Sequence, residues 1–175
     1  MCSSDLGRFV NSIGPFLAAM PVSAQLTGVS NPALLPSLRF LAARRAERRV
    51  WLCHNDLGVD ELVGFADNVI ETDDGGVALP AGAQTGAGGS LADLVGTDGD
   101  PVEQFRDVLG GRANDVAVET VCLNATALSV LGGLHDDWGK AMRAAEDAVR
   151  GGAALDLAHR MRSARAANLL VANHA

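Results

Sequence analysis

The sequence has no tyrosine, and aromatic residues make up only 4% of its 175 positions. With so few large rings, the core must be filled by Ala, Val and Leu, which suits packed helices. No apolar run approaches the roughly 18 residues a membrane helix needs, and the amino terminus lacks the basic-then-apolar pattern of a signal peptide. No membrane partner is expected, and a cytoplasmic protein is. The three cysteines form no Cys-x-x-Cys pair and have no histidine at zinc-ligand spacing. This argues against structural zinc and a disulfide framework and fits a reduced compartment. Cys53 and Cys122 lie inside apolar runs and read as small core residues. Positive charge is also short. The net charge of −7 is the opposite of the basic face a nucleic-acid binder presents, so no nucleic-acid partner is expected. The basic cluster RRAERR at 44–49 reads as a solvated helix end whose cations complement the macrodipole.

What is present is ordinary globular material, 48% apolar and 20% charged, enough for one domain with a real core. The segment GRFVNSIGPFLAAMP, punctuated by Gly14-Pro15 and Pro21, reads as a loop. VSAQLTGVS reads as a strand. Asn31 followed by Pro32 is an N-cap with proline at the first helical position, opening a helix over 32–46. RVWLC, a continuous apolar run, reads as a buried parallel strand, which completes a βαβ unit. NVIETDDGGVAL predicts two short strands around an Asp-Gly turn. The Gly- and Thr-rich stretch 80–100 is expected to be a surface excursion. Its GAGG at 86–89 has no strand feeding into a helix, as a phosphate loop would require. Helices follow: one over Val102–Leu109, a buried one through Val116–Leu128, an amphipathic one through Trp138–Val149, and a last one over 153–170. Their ends are marked by Gly110-Gly111, Gly132-Gly133 and Gly151-Gly152. The fold class expected is α/β: a small, mainly parallel sheet with flanking helices and a helical carboxyl-terminal part.

The chemistry-bearing stretch is VWLCHNDLGVDEL at 50–62. Ligands in open α/β sheets bind beyond the carboxyl ends of strands. Asp60 and Glu61 lie just past such an end, approached through Gly58. Adjacent carboxylates suit a hard cation such as Mg²⁺, which keeps waters and takes one or two protein carboxylates plus substrate phosphates. An Asp-Glu pair is equally favoured in the first turn of a helix by the dipole alone. From the residues, both readings stand, and a small acidic interaction domain without any ligand stands beside them.

The order N-x-x-G-P-x, QLTGVSNPALLPSL, HNDLGVDEL and LNATAL resembles the carboxyl-terminal half of the anthranilate phosphoribosyltransferase family. There a Gly-Pro loop, a QLVGV strand, an HGxDGLDE segment and an LNAA helix follow one another. The resemblance covers residues 7–170. It implies that Asp60 and Glu61 bind the magnesium ions of phosphoribosyl pyrophosphate, and that Gly14 and Pro15 line the anthranilate channel. It makes Asn124 the LNAA asparagine, read as a buried amide satisfying backbone groups, and gives His54 an orienting or structural role. The reaction implied transfers phosphoribose to anthranilate in tryptophan biosynthesis, with no catalytic nucleophile from the protein. The full-length protein is expected to be a homodimer.

Departures from that pattern are specific. Asn55 stands where the family motif has glycine, Leu57 where it has aspartate, and Ala18-Ala19 where Asn-Pro follows the Gly-Pro loop. Residues 1–6 (MCSSDL) read as a non-native leader. Residues 7–175 are expected to be a single α/β domain, truncated, without the upstream helical domain and glycine-rich loop and therefore inactive by itself. The alternative is a paralogue with altered or no catalytic activity.

Overall fold

Residues 50–53 alternate their side chains between two layers, and the fold is built around that strand. The computed structural model describes residues 12–17, 21–86, 88–94 and 100–172, with side chains to residue 164. The leader at 1–6 and the Ala18-Ala19 departure lie outside the described residues. β1 (Ala24–Gly28), β2 (Arg49–Asn55), β3 (Asn68–Thr72) and β4 (Gly75–Leu79) form one sheet in the order β1-β2-β3-β4. Because successive side chains of a strand point to opposite faces, Val50 and Leu52 join Val29, Leu35 and Leu38 in one buried cluster, while Cys53 joins Ile70, Leu79, Leu123 and Ala127 in another. β2 therefore needs its continuous apolar run: both of its faces are covered.

The α/β class holds, with a correction to the sheet. β1 pairs with β2 in parallel, but β2–β3 and β3–β4 are antiparallel. A parallel neighbour requires a crossover that returns the chain to the starting end of the sheet. Residues 56–67 contain no helix or strand and turn back at the end where β2 finishes. The β3–β4 hairpin turns at Asp73-Asp74, with Gly75 in the left-handed region at φ 131°.

Around the sheet lie α1 (residues 12–17), a 3₁₀ turn at Pro32–Leu34 leading into α2 (Leu35–Ala43), the short α3 (Leu91–Leu94), α4 (Pro101–Leu109), α5 (Asp115–Leu131), α6 (Trp138–Arg150) and α7 (Ala153–Ala172). Capping follows the sequence. Asn31, Asp100, Asn114 and Asp137 each accept a backbone N–H of the first turn, and Gly110, Gly132 and Gly151 end their helices. α5 packs against β1 and α6, and Val118, Cys122, Met142 and Val149 form the helix-to-helix core.

Two further expectations are corrected. The Gly14-Pro15 segment is helical rather than a loop, and Phe16 within it is buried against α2 and β2. The basic cluster is not simply a solvated helix end. The Arg45 guanidinium donates to the Phe16 carbonyl, tying α1 to the end of α2. The Arg48 side chain is only 4% exposed and donates to Gln25 Oε1 on β1 at 2.9 Å. These cations face inward because the carbonyl and amide oxygens they reach would otherwise be desolvated without partners.

Candidate functional site

The segment 56–67 carries the acidic pair, and its backbone poses a problem. Leu62 and Val63 are completely buried, yet they belong to neither a strand nor a helix. Their amide groups need partners that no ladder supplies. Asparagine side chains, with a donor and an acceptor at the same end, supply them. Asn124 of α5 accepts from Leu62 N–H at 3.1 Å and donates to the carbonyls of Leu62 and Thr120, each at 2.8 Å. Asn68 at the start of β3 accepts from Val63 N–H at 3.1 Å and donates to Val63 and Ala66 carbonyls, each at 2.8 Å. Asn55 at the end of β2 accepts from Val59 N–H at 3.2 Å and donates to the Glu61 carbonyl at 2.8 Å.

Asp60 and Glu61 thus sit on a clamped turn, not at a helix start, because no helix follows them. Gly58 makes the turn possible at φ 69°, where a side chain would be strained. The two carboxylates interact: burial raises the Glu61 carboxyl above its ordinary value, and the charge and hydrogen bond of Asp60 raise it further. Burial pushes the Cys53 thiol up to about 12, helped by the charges of Glu61 and Asp60. Burial is the larger cause of both shifts, and the neighbouring carboxylate charges add to it.

Asp60 forms part of the wall of a cavity of about 620 Å³, shared with Ser12, Ile13, Gly28, Asn31 and Ser37. The wall is closed by a very tight approach: a Cβ on Gly28 would fall 1.6 Å from the Asp60 carbonyl oxygen, so only glycine fits there. Gly14 and Pro15 themselves are outside the lining, but Ser12 and Ile13 immediately precede them. His54 is not part of that lining and lies 3.9 Å from Glu71 of β3. Glu71 is held by Arg39 of α2, whose hydrogen bond and charge keep its carboxyl below the ordinary value. His54 therefore sits beside the Arg39–Glu71 ion pair that links α2 to the sheet.

The donor set suits magnesium only in part. Two carboxylates on one turn are hard oxygen ligands, but among the described residues no group of three or more His, Cys, Asp or Glu converges as a metal site. A cation here would complete its shell with water and with oxygens of a phosphorylated ligand, as Mg²⁺ commonly does. Sequence reasoning singles out Asp60 and Glu61 as candidates and anticipates the amide role of Asn124. It misses the clamps Asn55 and Asn68 and the contact at Gly28. The signal for Asn55 is present: a polar amide ending a strand covered on both faces must have partners.

A family model described as glycosyl transferase family, a/b domain, matches residues 4–155, and the chain belongs to that family. It is 33% identical over 160 residues to the anthranilate phosphoribosyltransferase of Cenarchaeum symbiosum, covering 88% of this chain and 47% of that protein. It is 32% identical over 155 residues to that of Syntrophobacter fumaroxidans, covering 83% and 44%. The anthranilate phosphoribosyltransferase structure from Thermus thermophilus matches with a TM-score of 0.65 at 26% identity, over 76% of this chain and 40% of that one. The Saccharomyces cerevisiae protein in complex with PRPP and Mg matches with a TM-score of 0.68 at 20% identity, over 87% of this chain and 46% of that one, a likeness of fold alone. This chain spans less than half the length of these relatives.

Proposed function

We propose that this chain is the carboxyl-terminal part of a cytoplasmic anthranilate phosphoribosyltransferase, transferring phosphoribose from phosphoribosyl pyrophosphate to anthranilate in tryptophan biosynthesis. The observation that carries the reading is the rigid Asp60-Glu61 turn beyond the end of β2, with Asp60 on the wall of the cavity that reaches α1. Asp60 and Glu61 would hold Mg²⁺. When bound, the ion would neutralise charge building on the departing pyrophosphate. Gly14 and Pro15 would border the anthranilate channel. The anthranilate amine displaces pyrophosphate at the anomeric carbon, so the chain's work is positioning and exclusion of water, without a protein nucleophile.

The domain is assigned to residues 7–175, with residues 1–6 as a non-native leader. Upstream parts of a full-length protein, a helical domain that makes the homodimer and a glycine-rich loop that cradles the phosphates, complete the site in this reading. The 175 residues alone are therefore inactive. Incubating the purified chain with phosphoribosyl pyrophosphate, Mg²⁺ and anthranilate should leave anthranilate unconsumed, and measurable turnover would refute this. The full-length protein should consume it. A second reading, a paralogue with altered or no activity, is favoured by Asn55 and Leu57 in the motif. Full-length protein that binds phosphoribosyl pyrophosphate without consuming anthranilate would establish it.

A further inference from the structure

We infer that Asn55 is the positioning residue of the acidic pair, its buried amide fixing the backbone on both sides of Asp60. The inference rests on Asp60 and Glu61 being a cation site. Asn55 is 5% exposed, and its amide makes two bonds, accepting from Val59 N–H and donating to the Glu61 carbonyl. Those two residues flank Asp60. The Asn55 carbonyl also accepts Gly58 N–H at 3.3 Å, so residues 55–61 are closed into a loop by one residue.

The other two asparagines do different work. Asn124 and Asn68 bond Leu62, Val63 and Ala66, whose side chains are core. Among the described clamps, Asn55 is the one that reaches the acidic pair. Bringing two carboxylates together on a partly buried turn is opposed by their repulsion, so without restraint the turn would relax and separate them. A glycine at 55, as in the family pattern, could make neither side-chain bond and would leave Val59 N–H and the Glu61 carbonyl to other partners. The asparagine is thus a means of shaping the turn that the family's glycine does not have. Outer partners of this kind orient metal ligands, and their loss costs affinity without removing a ligand.

The test is a Mn²⁺ titration of the intact 175-residue chain, followed by water-proton relaxation, at a temperature where circular dichroism reports each variant folded. Without a phosphorylated ligand wild type should bind weakly but measurably, and the double variant Asp60→Asn with Glu61→Gln should not bind. Asn55→Ala should weaken binding by about 10- to 100-fold. Asn55→Asp keeps the size and the acceptor for Val59 but loses the donor to Glu61. Its added negative charge alone would strengthen cation binding, so weaker binding reports the lost donor and serves as the decisive variant if the alanine form does not fold. Wild type that fails to bind Mn²⁺ overturns the cation-site reading and this inference with it. Binding that needs Asp60 and Glu61 but is undiminished in both Asn55 variants overturns the role of Asn55 alone.

Discussion

Asn124 shows what a single amide does here. It satisfies both backbone groups of Leu62 and a carbonyl of its own helix. Alanine at this position leaves buried polar groups without partners and should cost about 2–3 kcal/mol in a urea-unfolding measurement. Glu61 makes the opposite case. Its carboxyl is raised, so the folded chain holds that proton more tightly than the unfolded one. The stability this gives is present below the ordinary carboxyl range and is lost as pH rises through the raised value. At neutral pH the charged pair therefore opposes folding. Glu61→Gln should raise the Tm of the metal-free chain at pH 7 and abolish any Mg²⁺-dependent rise in Tm, both read by circular dichroism melting.

At the scale of elements, α5 is the keel. Its buried face runs from Val118 through Cys122 and Leu123 to Leu131, meeting the sheet on one side and α6 on the other. Leu131 is completely buried, and Leu131→Ala should destabilise the fold by about 2–5 kcal/mol, depending on how far the cavity collapses. Packing of α5 against the sheet and against α6 also shields thiols. Burial raises Cys53 to about 12 and Cys122 to about 11. Both should resist a thiol reagent at pH 8 until denaturant is added. Since unfolded thiols ionise near 9, the stability tied to these two groups is intact below that pH and falls as pH rises toward 11–12. Between β1 and the acidic turn there is no room at all. Gly28→Ala drives a Cβ into the Asp60 carbonyl and should displace the turn. The expected readout is weaker Mn²⁺ binding together with a lower Tm.

The whole molecule is a sheet with helices on both faces and a ligand-sized cavity at the end where β1 and β2 finish. Much of this is legible in the sequence. RVWLC reads as a buried strand because an unbroken apolar run needs cover on both faces. The Asn31-Pro32 cap, the hairpin over 68–79 and the glycine-marked helix ends are local signals with local causes. Other features depend on distant partners. The antiparallel return of β3 follows from where segment 56–67 turns. The helical state of residues 12–17 is backed by Phe16 packing into the core and by Arg45, which lies far along the chain. Arg48 looks like surface charge in sequence and is buried in the fold, because Gln25 and Glu47 come to meet it.

Local sequence by itself was enough for the four strands, the longer helices with their glycine-marked ends and the chemical types at the site, since these depend on residues within a few positions of each other. By contrast, α1 needed Phe16 packing and the distant Arg45. Tertiary structure alone decided whether Asp60-Glu61 began a helix or stood on a turn. That choice lay with Asn55, Asn68 and Asn124, three amides from three elements, which satisfy a buried backbone that no periodic pattern along the chain could satisfy.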